Sequence, residues 1–206
     1  KMFGDPVIVT MGRLTYQKGQ WHLIRAFKEV KEAVPKARLV LLGEGELQDR
    51  LKELALNLEI ADSVHFVGWQ ENPFSYVSKA QLFILPSLWE GLPDVLLEAM
   101  ACKLPIISTD CRSGPREILA PETDSLFQTK SVEQGEYGIL VPVCDGIWRA
   151  SNEPATKEEQ MMATTITGLL NNEKVRRQLQ EKSSKRALNF DITTIIPQWS
   201  FLWQKM

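Results

Sequence analysis

The chain has 206 residues, with 24 Lys and Arg against 26 Asp and Glu, a net charge of -2. That balance, with a pI of about 5.8, gives no electrostatic footing for nucleic acid, and 44% hydrophobic residues exclude a largely disordered chain. No apolar run approaches the ~20 residues that span a bilayer. Cys102, Cys111 and Cys144 are too widely spaced for a disulfide framework or a zinc set, so reduced thiols in a cytoplasmic protein are expected.

In chain order, the β-branched run 7–11 predicts a buried strand, followed by a loop over 12–19. Leu23, Phe27, Val30 and Val34 then share one helical face, and Pro35 ends that helix. A second strand over 38–42 and a Gly43-Glu44-Gly45 turn precede a helix carrying Leu47, Leu51, Leu54, Ala55 and Leu58. Further strands are predicted at 64–67, 82–85 and 105–108, with helices at 72–79 and 94–102 between them. Strands alternating with helices imply βα units and a parallel sheet covered on both faces. Beyond 108 the pattern weakens to a short helix at 115–119, an irregular insertion over 120–136 and a short strand at 138–141. The loop 145–156 carries an unexpected Trp148, and the chain is helical from Lys157 onward. Asp191 can cap a final helix bearing Ile192, Ile196, Trp199 and Trp203, with Pro197 in its first turns.

Ligands of parallel sheets collect at the carboxyl ends of the strands. In the first such loop, Gly12 allows close approach, and Arg13 and Lys18 form a plausible diphosphate clamp ahead of a helix N-terminus. Read alone, two cations fit a solvated surface loop better. At the third strand end, Gly68 and Trp69 offer an aromatic that could flank a base or pack into the core. The 86–93 loop is richer: Glu90 lies in it, Glu98 lies on the following helix, and Pro93 suits the first turn. Gly91 and Leu92 would present free N–H groups to an anion. Carboxylates accept hydrogen bonds from vicinal diols, so this set suits a nucleotide sugar. The plainer alternative is a capping Glu90 and a solvated Glu98.

The ordered motifs Gly12-Arg13-Leu14, Gln17-Lys18-Gly19, Gly43-Glu44-Gly45, Phe66-Val67-Gly68, Glu90 with Glu98, Gly114-Pro115-Arg116-Glu117-Ile118 and Gly138-Ile139-Leu140-Val141-Pro142 resemble the donor-binding, C-terminal domain of family 4 retaining glycosyltransferases of the GT-B fold. The resemblance spans roughly 7–142. It implies an α/β fold, a Rossmann-like doubly wound parallel sheet with helices on both faces. Residues 1–206 would be one nucleotide-sugar-binding domain, with 191–206 as a C-terminal crossover helix. By the same resemblance Arg13 and Lys18 hold the diphosphate of a UDP-, GDP- or ADP-sugar, and Glu98 the ribose. Glu90 would act catalytically at the sugar or reacting centre. Backbone at Gly12, Gly68 and Trp69 would border the nucleotide, and Gly91 and Leu92 the distal phosphate.

The resemblance implies neither a metal nor another cofactor. It implies an acceptor-binding N-terminal domain, missing here because the chain starts just ahead of the first strand, with room for peripheral membrane association through that domain. The intact enzyme would then work at the inner face of the membrane, in cell-surface polysaccharide or glycolipid synthesis, and this chain alone would be inactive. The 120–137 stretch is longer than the family's usual connector. A nucleotide-sugar epimerase of the same architecture and a non-catalytic binding module stay open as alternatives. A flavodoxin-like or response-regulator domain lacks its acidic cluster here.

Overall fold

The computed structural model describes residues 6–203. The expectations placed on residues 1–5, on 204–206 and on the side chain of Trp203 lie outside the described residues. Seven strands form one sheet: β1 (Val7–Met11), β2 (Arg38–Leu42), β3 (Val64–Gly68), β4 (Leu82–Leu85), β5 (Ile106–Thr109), β6 (Glu133–Gln134) and β7 (Ile139–Val141), in the spatial order β3-β2-β1-β4-β5-β7-β6. All neighbours are parallel except β6 against β7. Around the sheet lie α1 (Gln20–Ala33), α2 (Gln48–Asn57), α3 (Phe74–Val77), α4 (Asp94–Ala101), α5 (Pro115–Leu119), α6 (Lys157–Leu170), α7 (Glu173–Leu188) and α8 (Ile192–Trp203). The expected α/β, doubly wound architecture is therefore present. No helix among the described residues is long and apolar enough to cross a membrane.

Successive strand side chains point to opposite faces, so each strand feeds two cores. Ile8, Leu39, Leu41, Leu82 and Ile84 pack with α1, α2 and α6 on one face. Val7, Val9, Val40, Phe83 and Leu85 pack with α3, α4 and α5 on the other. Trp21, Phe27 and Phe83 are fully buried, each worth roughly 1.5–3 kcal/mol or more relative to exposure. The chain after β1 turns to one face through α1, and the chain after the neighbouring β4 turns to the other through α4. This divergence opens the crevice at the carboxyl edge.

Several expectations shift. The insertion is not wholly irregular: Glu133 and Gln134 pair antiparallel with β7, and two polar residues give no periodicity to read. Pro93 precedes α4 as its N-cap, with extended backbone, rather than entering the first turn. The 72–79 helix shrinks to the four residues of α3. β5 runs one residue later than expected, through Thr109, and β3 runs on to Gly68. Trp148 is half-buried because it stacks on Trp21 at 5.4 Å and lies under the Arg50 guanidinium at 4.1 Å. Asp191 does cap α8, accepting from the Thr193 N–H at 2.9 Å, and the helix runs through Pro197. Ile192, Ile196 and Trp199 stand exposed on α8.

Candidate donor-binding cleft

The loops after β1, β2 and β3 are stitched together by backbone. Gly12 N–H donates to the Leu42 carbonyl at 2.9 Å, Leu14 N–H to the Glu44 carbonyl at 2.8 Å, and Gly43 N–H to the Gly68 carbonyl at 2.9 Å. Gly43 has φ +124°, and a Cβ there would sit 2.2 Å from the Gly12 carbonyl oxygen. Only glycine fits such an approach. Gly114 (φ +89°) is the counterpart across the crevice, where a Cβ would lie 2.1 Å from the Gly91 carbonyl oxygen. Beside it, Glu90 N–H donates to the Arg112 carbonyl and Ser113 N–H to the Glu90 carbonyl, both at 2.9 Å.

The structure joins the β1 and β4 loops through one carboxylate. Lys18 Nζ and Ser87 Oγ each lie 2.6 Å from Glu90 Oε1, and Gln17 Nε2 lies 3.5 Å from Oε2. Gln17 also donates to the Trp89 carbonyl at 3.0 Å. The Glu90 side chain is only 6% exposed, and Ser87 is fully buried. Lys18 reaches Glu90 alongside Gly12: a Cβ there would meet the lysine methylenes only in ordinary contact, 3.4 Å from Lys18 Cε, so it is the backbone at φ +150° that favours glycine. A charged hydrogen-bond set of this kind holds each member more tightly than a neutral one. Sequence reasoning placed Lys18 and Glu90 in one site but did not foresee that they neutralise each other.

Arg13 is exposed, and its side chain has no partner among the described residues, while its carbonyl accepts from Gln20 Nε2 at 2.8 Å. Gly91 and Leu92 are exposed just ahead of α4, and neither N–H finds an acceptor among the described residues. Such N–H groups, at the positive end of a helix, suit an anion. Trp69 is 69% exposed, and its N–H donates to Glu44 Oε1 at 3.2 Å, which fixes the β3 end. Glu98 is half-buried on α4, with no hydrogen-bond partner for its carboxyl among the described residues. Burial, reinforced by Asp94 one turn earlier, raises its carboxyl above the ordinary range. No described contact joins Glu98 to Arg13, Lys18 or Glu90. Among the described residues no group of three His, Cys, Asp or Glu could hold a metal ion.

Two buried ionic clusters lie elsewhere on the same elements, one joining α1 to α6 and one joining the β5 end to α5 and β6. Glu159 is wholly buried, with His22 Nδ1 at 2.7 Å and Arg25 Nε at 3.1 and 3.2 Å from its two oxygens. It also closes a capping box with Thr156 at the start of α6. Burial pushes its carboxyl up, but His22, the Thr156 N–H and Arg25 outweigh that and hold it below the usual range. The Thr156-x-x-Glu159 spacing ahead of an apolar run was the readable signal. Arg116 of α5 bridges buried Asp110 at 2.6 Å and Glu133 of the insertion at 2.8 Å, and Thr129 N–H donates to Asp110 at 2.5 Å. Burial pushes the Cys111 thiol up to about 12, so it stays protonated.

A family model described as glycosyl transferases group 1 matches residues 3–140. An uncharacterized glycosyltransferase of Methanocaldococcus jannaschii is 43% identical over 95% of the chain and 49% of its own length. The N-acetylgalactosamine-N,N'-diacetylbacillosaminyl-diphospho-undecaprenol 4-alpha-N-acetylgalactosaminyltransferase of Campylobacter jejuni is 31% identical over 91% of the chain and 43% of its own length. The chain thus spans about half the length of the curated relatives it matches. Among solved structures, the pneumococcal O-GlcNAc transferase GtfA in complex with UDP and GlcNAc superposes with a TM-score of 0.78 at 21% identity, over 98% of this chain and 36% of that one. That likeness shows the fold, the Rossmann-like half of a GT-B architecture.

Proposed function

Because the chain belongs to the glycosyl transferases group 1 family, we propose that it is the donor-binding half of an enzyme that moves a sugar from a nucleoside-diphosphate sugar to an acceptor with retention of configuration. One observation carries this reading. On the loops after adjacent strands β1 and β4, the exposed Arg13 side chain and the N–H groups of Gly91 and Leu92 have no hydrogen-bond or ion-pair partner among the described residues. They flank a lysine already held in place by Glu90. Glu90 thus preorganises the lysine, and the guanidinium and the two N–H groups stay open to an external anion.

Donor binding exchanges partners. Lys18 turns from Glu90 to the diphosphate, and the freed Glu90 oxygen faces the sugar. Glu98 receives the ribose hydroxyls, and the edge at Gly68 and Trp69 borders the base. As the bond from the anomeric carbon to the phosphate oxygen breaks, negative charge passes to the leaving diphosphate. Arg13, Lys18 and the two N–H groups stabilise that charge more than they stabilise the ground state. The acceptor hydroxyl oxygen bonds to the anomeric carbon on the face the phosphate leaves, and its proton passes to the departing phosphate oxygen. This scheme needs no metal. The acceptor half lies outside this chain, and the chain alone does not turn over. We place the reaction in the cytoplasm, at the membrane face when the acceptor is lipid-linked, within cell-surface polysaccharide or glycolipid synthesis. The undecaprenol-linked acceptor in the Campylobacter relative's name supports that placement.

The test is thermal: UDP, GDP, ADP or one of their sugars raises the melting temperature of the 206-residue chain, and Arg13→Ala shrinks the rise. If no nucleotide shifts the melting curve at millimolar concentration, the donor reading fails. Sugar transfer by this chain alone would overturn its reading as half an enzyme.

A further inference from the structure

Two exposed aromatic rings border the site and have no part in the scheme above. Tyr16 follows β1 and Trp89 follows β4; they are 49% and 47% exposed, with ring centroids 5.9 Å apart and planes at 45°. Neither is loosely held. The Tyr16 hydroxyl donates to the Gly146 carbonyl at 2.9 Å, and its ring packs on buried Trp21 at 5.1 Å. Trp21 in turn stacks on Trp148. Trp89 is fixed through its carbonyl by Gln17, and its chain neighbour is Glu90. The pair is therefore the outer end of a row of four rings in contact, in which Tyr16 is anchored before any ligand arrives and Trp89 leans on it. Rigid placement lowers the entropy lost on binding.

We propose that Tyr16 and Trp89 form a platform for a pyranose ring. A pyranose has an apolar C–H face and a rim of hydroxyls. The C–H face packs on the electron-rich face of an aromatic ring, and amide and carboxylate groups on the same loops, Gln17 and Glu90, suit the rim. The proposal deepens the donor-site reading and rests on it for the choice of ligand. The sugar is either the one carried by the donor or the first ring of the acceptor.

Saturation-transfer NMR on the 206-residue chain separates these outcomes. The probes are the methyl glycosides of glucose, galactose, mannose and N-acetylglucosamine, and the same sugars linked to UDP or GDP. Sugar C–H protons saturate in the wild-type chain. Trp89→Ala weakens that contact by roughly three- to tenfold, while nucleotide protons saturate as before. Loss confined to the nucleotide sugars assigns the platform to the donor; loss with free glycosides assigns it to the acceptor. Trp89→Phe keeps a ring and most of the signal, which excludes unfolding as the cause. Unchanged sugar saturation in Trp89→Ala overturns the platform, as does selective loss of the base protons or the absence of any sugar signal in the wild type. Sugar saturation with no nucleotide signal leaves the platform standing and removes the donor reading instead.

Discussion

Glu90 and Glu98 are the same side chain placed in two regions, the β4–α4 loop and helix α4, and they meet opposite surroundings. Glu90 is nearly buried and holds Lys18 and Ser87 on one oxygen. Glu98 has no partner among the described residues, and burial with Asp94 disfavours its charge. Pairs of carboxylates whose environments differ this way divide roles between them. Here the division is between a charge already committed to the protein and one still open to a ligand.

Removing each group should break that contrast in a different way. The largest effect is expected for Glu90→Ala, which strands Lys18 and leaves Ser87 without its acceptor. About 3 kcal/mol of stability should be lost in urea unfolding, and a loss below about 1 kcal/mol would mean the cluster is only a surface pair. Next comes Glu98→Ala, which should weaken nucleotide binding by roughly ten- to a hundredfold, the worth of charged hydrogen bonds to a ribose diol. Its stability should move by no more than about 0.5 kcal/mol; calorimetric titration beside a melt reads both. Ser87→Ala removes one donor but leaves Lys18, so about 1.5 kcal/mol is expected, and a drop as large as that of Glu90→Ala would show the serine to be the main tether. The smallest effect is in the pH dependence. A raised carboxyl in the native state stabilises below its unfolded value, and that contribution is lost as pH rises through the raised native value. Glu98→Gln should therefore be slightly more stable than wild type at neutral pH, with the gap closing in acid. Nucleotide affinity of the wild type should fall on acidification sooner than an ordinary carboxylate would allow, and a flat profile would remove Glu98 from the ribose.

Much of the fold was legible because its strands are short apolar runs and its helices keep one face. β1, β2 and β4 fall where their β-branched and leucine-rich runs predict. What escaped was long-range and polar. β6 is two polar residues, one of which is also tied to Arg116 from α5, and no local pattern encodes either contact. His22 sat in a helix read for its apolar face, yet its ring meets Glu159, 137 residues away in the chain. In the site, residue types and order were readable, whereas the Lys18–Glu90 pairing was not, since it depends on how closely two loops approach.

The glycine contacts at the carboxyl edge have a consequence for engineering. Gly43 rests against the Gly12 carbonyl and Gly114 against the Gly91 carbonyl, so each loop is the mould in which its neighbour is cast. A chimera that imports a single loop to alter sugar preference would arrive with a backbone its neighbours cannot receive. Loop grafts in this scaffold should travel as a set, the β1 loop with the β2 loop and the β4 loop with the β5 loop.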